Sequence, residues 1–237
     1  MTDARMKVLV ACEFSGRVRQ AFRDLGHDAW SCDLLPSEDD SAYHIHGDVG
    51  AVLHDGWDIV IAHPPCTYLT GAAEWAYADP DFERFPGVGY HQRVQPSTLT
   101  GAARRAARIE AIAFAMTIWR CPAPRVCIEN PVGVLSRELR SPCIVQPYEF
   151  GDDASKKTCL FLRGLPWLVP TDHVAPRMVN GKPRWANQTD TGQNRLSPGA
   201  DRWKERSRTY PGIALAMARQ WSGKLRPIPQ ASSKPAR

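Results

Sequence analysis

The chain has 237 residues, 43% of them hydrophobic and 23% charged, with a formal net charge of +5. That composition fills a core and excludes a disordered polyampholyte or a disulfide-stapled miniprotein. Seven cysteines without a single CxxC suggest neither a disulfide framework nor a zinc ribbon, no apolar run approaches the roughly 20 residues that cross a bilayer, and the opening MTDARMKVLV lacks the layout of a secretory signal. A soluble protein of a reducing, cytoplasmic compartment is expected, a monomer with no metal and no membrane partner.

Charge is unevenly spread. Residues 37–58 hold six acidic side chains and no Lys or Arg, residues 93–125 hold six Arg against Glu110, and residues 202–237 hold nine basic side chains against Glu205. An acidic front with a basic middle and back suits a small cationic ligand near one end and a polyanion near the other, or simply solvated faces.

Along the chain, Lys7–Cys12 is a short apolar run leading through Glu13-Phe14-Ser15-Gly16 into a helical pattern at Val18, Ala21, Phe22 and Leu25. Asp28–Cys32 reads as a second strand and Trp57–Ala62 as a third, stopped by His63-Pro64-Pro65-Cys66. Ser97 or Thr98 caps a helix to about Trp119 with an apolar face at Ile109, Ile112, Ala113, Met116 and Trp119. Arg125–Glu129 is a further strand closed by Asn130-Pro131; Ile144–Gln146 and Thr158–Leu162 are two more, and Tyr210–Trp221 is helical with Pro211 in its first turn. Strands bracketing helices argue an α/β fold with parallel strands. Residues 1–162 read as the catalytic and cofactor-binding domain, 163–200 as a short irregular region, 201–225 as a closing helix and 226–237 as a basic, disordered tail.

Ligands of open α/β sheets sit beyond the carboxyl ends of the strands. Here those ends carry Phe14-Ser15-Gly16, Asp33, Asp48, Pro64-Pro65-Cys66 and Glu129-Asn130-Pro131. Gly16 permits close approach, while Asp33 and Asp48 can take ribose hydroxyls and a base amino group. With Arg17-Val18-Arg19 in place of further glycines there is no pyrophosphate cradle, so a nucleoside cofactor without phosphates is favoured. Cys66, stiffened by two prolines and presented at the sheet edge, can act as a nucleophile if its pKa is lowered. Glu129 ends the next strand, beside it.

The segments ACEFSGRVR, SCDLLP, IAHPPCTYLT, IENPVGVLS and RWKERSRTYPGIALAMA, in this order, resemble the 5-cytosine DNA methyltransferases, particularly the short versions found in bacteriophages, over roughly residues 6–222. The resemblance implies a Rossmann-like S-adenosylmethionine-dependent methyltransferase fold with a reduced target-recognition region, acting on double-stranded DNA. In it, Cys66 would be the covalent nucleophile and Glu129 the acid engaging a flipped cytosine. Phe14, Ser15, Gly16, Asp33, Asp48, Pro64 and Ile213 would hold S-adenosyl-L-methionine, and Lys156, Asn130 and Thr158 would contact base or DNA. Arg104 and Arg105, with Arg108, would meet phosphates or form a solvated helix face, and residues 67–100, carrying Arg84 and Arg93, would close over the site as a mobile loop.

The chain departs from that family at His63, where glycine is usual, at Thr67, where glutamine is usual, and at Pro131, where valine is usual. Lys156 and Thr158 stand where it has arginines. His63 would tune the thiol or simply hydrogen-bond backbone. Other readings are an exocyclic amino methyltransferase of adenine or cytosine, which needs neither Cys66 nor Glu129, an RNA or free-nucleotide 5-cytosine methyltransferase, and a non-catalytic nucleic-acid-binding protein on the same scaffold.

Overall fold

The computed structural model describes residues 5–79, 98–197, 199 and 201–223. Residues 80–97, including Arg84 and Arg93 of the expected loop, and the basic tail after residue 223 lie outside the described residues. Seven strands form the main sheet: β1 (Lys7–Ala11), β2 (Asp28–Asp33), β3 (His44–His46), β4 (Ile59–Ala62), β5 (Arg125–Pro131), β6 (Cys143–Val145) and β7 (Thr158–Arg163). Their order is β3-β2-β1-β4-β5-β7-β6. The first five are parallel, and β7 is antiparallel to both of its neighbours. The fold is α/β and Rossmann-like.

Two strands of this sheet differ from the sequence reading. β3, only His44-Ile45-His46, has no apolar run of its own and exists because it pairs with Ser31–Asp33. The link from Val145 to Thr158 carries a 3-10 turn at Pro147–Glu149 in place of a crossover helix, so β7 returns antiparallel where parallel strands were expected.

Every residue of β4 is buried, and along β1 Val8 and Val10 face one cluster while Leu9 and Ala11 face the other. A sheet covered on both faces requires such continuous apolar strands. Helices α1 (Arg17–Asp24) and α5 (Pro211–Trp221) cover the first face, where Val18, Phe22, Met217 and Trp221 are inaccessible to solvent. Full burial of each such side chain contributes about 1.5–3 kcal/mol. Helix α2 (Gly101–Trp119) covers the second face through Ala115 and Ile118. Of the apolar face expected, Ile112, Met116 and Trp119 pack against this cluster, while Ile109, 68% exposed, and Ala113 point outward. Near the start of the helix Arg104 and Arg108 lie over the Tyr77 ring at 4.7 and 3.4 Å.

Short helix α3 (Leu135–Glu138) adds Leu135 to the second cluster, short helix α4 (Arg202–Ser207) has no buried residue, and the segment expected to be irregular contains a two-stranded hairpin, β8 (Arg177–Val179) and β9 (Lys182–Arg184). The C-terminal part therefore holds two helices, α4 and α5, where one was expected.

Candidate active site

The chain leaves β1 toward β2 and β3 but leaves β4 toward β5, so the direction of strand succession reverses between β1 and β4. Such a switch point opens a crevice beyond the strand ends. The segments after these two strands, residues 12–16 and 63–66, face it, and the His63 N–H donates to the Ala11 carbonyl at 3.0 Å.

After β1, Gly16 adopts φ +67°, a left-handed turn that leads directly into α1. The helix N-terminus is already occupied from within: the buried Glu13 carboxylate accepts the Val18 N–H at 2.7 Å and the Arg19 N–H at 3.2 Å. Ser15 Oγ donates to the same carboxylate at 3.5 Å. Burial raises the Glu13 pKa, opposed by these two N–H bonds and by Arg19; either way, the donors that an anion would take at the helix N-terminus are already used within the protein. Beneath the turn the fully buried Arg19 bonds to Ser31 Oγ at 2.9 Å and pairs with Asp39. Neither Glu13 nor Arg19 was singled out from sequence; the acidic side chain at a strand end, just ahead of a helix, was the available signal.

Asp33 ends β2, half-buried, and accepts the Leu35 N–H at 2.9 Å. Burial raises its pKa above the ordinary carboxylate value. Asp48 is exposed and accepts the Gly50 N–H at 2.8 Å, and the Asp33 carbonyl takes the Gly47 N–H at 2.9 Å, so the two acids are held on adjoining loops. Phe14 is buried, with its ring centroid 6.0 Å from that of Trp203 on α4. Ile213 is buried within α5, in the core cluster that also contains Val10 and Val18.

Cys66 is the exposed cysteine of the seven; Cys12 is partly buried and the others are buried. Its carbonyl accepts the N–H groups of Leu69 at 3.1 Å and Thr70 at 3.0 Å, which closes a turn behind the thiol. That turn is stapled to the segment after β5. Asn130 Nδ2 donates to the Pro64 carbonyl at 2.9 Å, and the Val134 N–H donates to the Leu69 carbonyl at 2.8 Å. A Cβ on Gly133 would collide with the Leu69 carbonyl, so glycine permits this approach. Asn130 and Pro64 are both buried, and in this structure they fix the loop.

Glu129 stands opposite. Its carboxylate is bonded by His63 Nδ1 at 3.2 Å, with side chains 8% and 13% exposed for His63 and Glu129. The His63 ring bonds this side chain where a bond to backbone was expected. Burial works to raise the Glu129 pKa, but the His63 hydrogen bond, the Lys156 charge and the Thr158 hydroxyl outweigh it and hold the group below its usual range. At Cys66, burial and the Glu129 charge push the thiol up, and Lys156 and Arg206 pull it back only in part. The resting arrangement is a thiol in the field of a carboxylate, with two cations that only partly offset the cost of its thiolate. By contrast, burial and the charges of Asp33 and Asp48 push Cys12 up to about 12 and Cys32 to about 11, which leaves both inert. Lys156 Nζ donates to the Arg206 carbonyl at 2.9 Å, and Thr158 Oγ1 to the Lys156 carbonyl at 3.1 Å. Arg206 and Trp203 reach the site from α4, a short helix whose sequence gave no sign of its partners.

The arginines of α2 lie elsewhere. Arg104 is 5% exposed, over the rings of Tyr68 and Tyr77, and donates to the Leu99 carbonyl at 3.2 Å. Arg105 donates to the Tyr77 carbonyl at 2.7 Å and pairs with Asp79, and Arg108 pairs with Glu74 at 2.6 Å. They hold the segment that follows Cys66 onto the helix. A cavity of about 280 Å³ beside the start of α1 is lined by Arg17, Asn187, Arg195, Glu205, Arg208 and Tyr210, and neither Cys66 nor Glu129 reaches it.

The fold is Rossmann-like, with an exposed cysteine in the segment after β4 and a largely buried carboxylate near the end of β5. No family model matches the chain, and no curated protein matches it. Among solved structures, a candidate DNA modification methyltransferase encoded within an E. coli prophage is similar at 11% identity and a TM-score of 0.41, over 66% of this chain and 46% of that one. The chain thus spans less than half of that protein's length.

Proposed function

We propose that this protein transfers a methyl group from S-adenosylmethionine to carbon 5 of cytosine in DNA through a covalent adduct of Cys66. The observation that carries the reading is the exposed Cys66 thiol set against the ionised Glu129 across two stapled loops. The cofactor's residues fit as well. Glu13 bars a phosphate from the α1 N-terminus, while Asp33 and Asp48 present carboxylates to a neutral, hydroxyl- and amine-bearing nucleoside. Bound there, S-adenosylmethionine supplies an electrophilic methyl group.

The chain's own residues account for the remaining steps. A base stacked within a duplex cannot meet both a thiol and a methyl donor, so the target is flipped out at a cost of a few kcal/mol. Glu129, ionised at rest, takes the Cys66 proton as Sγ bonds to carbon 6 of the ring. The same carboxyl then delivers that proton to ring nitrogen 3, so the thiol's proton is conserved on the base and carbon 5 becomes nucleophilic. After carbon 5 is methylated it loses its proton to solvent, the Sγ–C6 bond breaks, and nitrogen 3 returns its proton through Glu129. Lys156 and Arg206 stabilise the thiolate that leaves. Residues 163–200, with the β8–β9 hairpin, are the segment available for reading a short target sequence.

Expression in a bacterium lacking cytosine methylation, followed by digestion of its DNA to nucleosides and mass spectrometry, tests the proposal. The expected product is 5-methylcytosine, lost on Cys66→Ser. N4-methylcytosine or N6-methyladenine would overturn it.

A further inference from the structure

We propose that His63 is a positioning residue for Glu129: its imidazole holds one carboxylate oxygen and so turns the other toward the thiol and the flipped base. The inference rests on the 5-cytosine reading above.

Three observations carry it. The His63 backbone is fixed by its N–H bond to Ala11, so the ring leaves the sheet from a rigid position. The ring is more than nine-tenths buried, and its Nδ1 lies 3.2 Å from Glu129 Oε2. An ionised carboxylate only accepts hydrogen bonds, so Nδ1 carries the proton. The third is Nε2, a buried nitrogen with no partner among the described residues. Glu129 is therefore the hydrogen-bond partner that orients the ring among the described residues.

The surroundings explain why Glu129 needs such a holder. Lys156 and Thr158 approach it from the β7 side and Cys66 from the loop after β4, while the buried Cys127 and Cys159 flank it from β5 and β7. Without His63, the carboxylate is free to turn toward Lys156, away from the sulfur whose proton it must take. His63 in turn lies within the field of Glu13 and Asp33, the acids at the ends of β1 and β2. It therefore stands between the cofactor loops and the reacting pair.

The test compares His63→Ala with His63→Asn, whose amide nitrogen can take the place of Nδ1. Single-turnover methylation of a cytosine-containing duplex is followed against pH, with the melting temperature of each variant recorded. Expected for His63→Ala is a rate loss of about 10-fold or more, below the roughly 10²–10⁴ of general acid–base catalysis itself. Its acid limb should move to higher pH, because Glu129 loses a bond that lowers its pKa, while KM changes little. His63→Asn should restore most of the rate and return the limb. A wild-type rate and profile in His63→Ala overturns the inference, as does an equal loss in both variants that tracks melting temperature. A readout independent of methylation separates the two levels: the Nδ1–H resonance of His63 should shift on Glu129→Gln. Absence of 5-methylcytosine from the wild-type reaction overturns the parent reading, and a resonance indifferent to Glu129→Gln overturns the pair itself.

Discussion

Glu38 and Arg208, 170 positions apart, form a two-pronged ion pair: Nε lies 2.9 Å from Oε2 and Nη2 lies 2.6 Å from Oε1. The same guanidinium pairs with Glu205, and the neighbouring Asp39 pairs with the buried Arg19. The Glu38 N–H also donates to the Phe14 carbonyl at 3.0 Å. The acidic loop after β2 is thereby clamped over the Phe14–Gly16 turn by cations from α1 and from the segment before α5. On the proposed function, Arg208→Ala should weaken S-adenosylmethionine binding severalfold in low salt and by less in high salt, where the ion pair is already screened, while changing stability by only about 0–1 kcal/mol. Titration calorimetry at two ionic strengths checks this; an unchanged affinity would separate the clamp from the cofactor.

Cys66 should titrate above an ordinary thiol, since burial and Glu129 both oppose its thiolate. Removing the negative charge by Glu129→Gln lowers that pKa, and removing the positive charge by Lys156→Ala raises it. The rate of iodoacetamide alkylation against pH, with the modified cysteine located by peptide mass, should give midpoints in the order Glu129→Gln, wild type, Lys156→Ala.

Gly133→Ala forces the Leu69 carbonyl away and opens the staple between the Cys66 and Glu129 loops. Methylation should fall by about an order of magnitude or more, as expected for reacting groups misplaced by about 1 Å. On the proposed function, S-adenosylmethionine binding, which would use the β1 and β2 ends, should persist.

Trp221 is fully buried and its indole N–H donates to the Pro166 carbonyl at 3.1 Å. Trp221→Ala should cost about 3–5 kcal/mol, read from urea unfolding.

Arg104→Ala should act on folding. It removes a buried guanidinium from the Tyr68 and Tyr77 rings and its bond to the Leu99 carbonyl, at a cost of about 1–3 kcal/mol. The salt dependence of DNA binding should keep its slope, whereas loss of a phosphate contact would reduce it by about 1.

The sequence by itself determined the alternation of strands and helices, because strands buried on both faces must be continuously apolar and the runs around Val8–Val10, Ile59–Ala62 and Val126–Ile128 are. It also placed Glu129 directly after one such run and Cys66 beyond the end of another, after His63-Pro64-Pro65. Tertiary structure decided what local pattern cannot carry. β3 exists only through its pairing with β2, and the antiparallel β7 follows from a link without a crossover helix. The charge blocks looked like surfaces for outside partners, yet Glu38, Asp39, Arg104, Arg105 and Arg208 make contacts within the chain, because opposite charges distant in sequence become neighbours on folding. His63 and Glu129 are 66 positions apart. No periodicity records that one ring faces one carboxylate; only parallel β1, β4 and β5, ending at the same level, bring the two together.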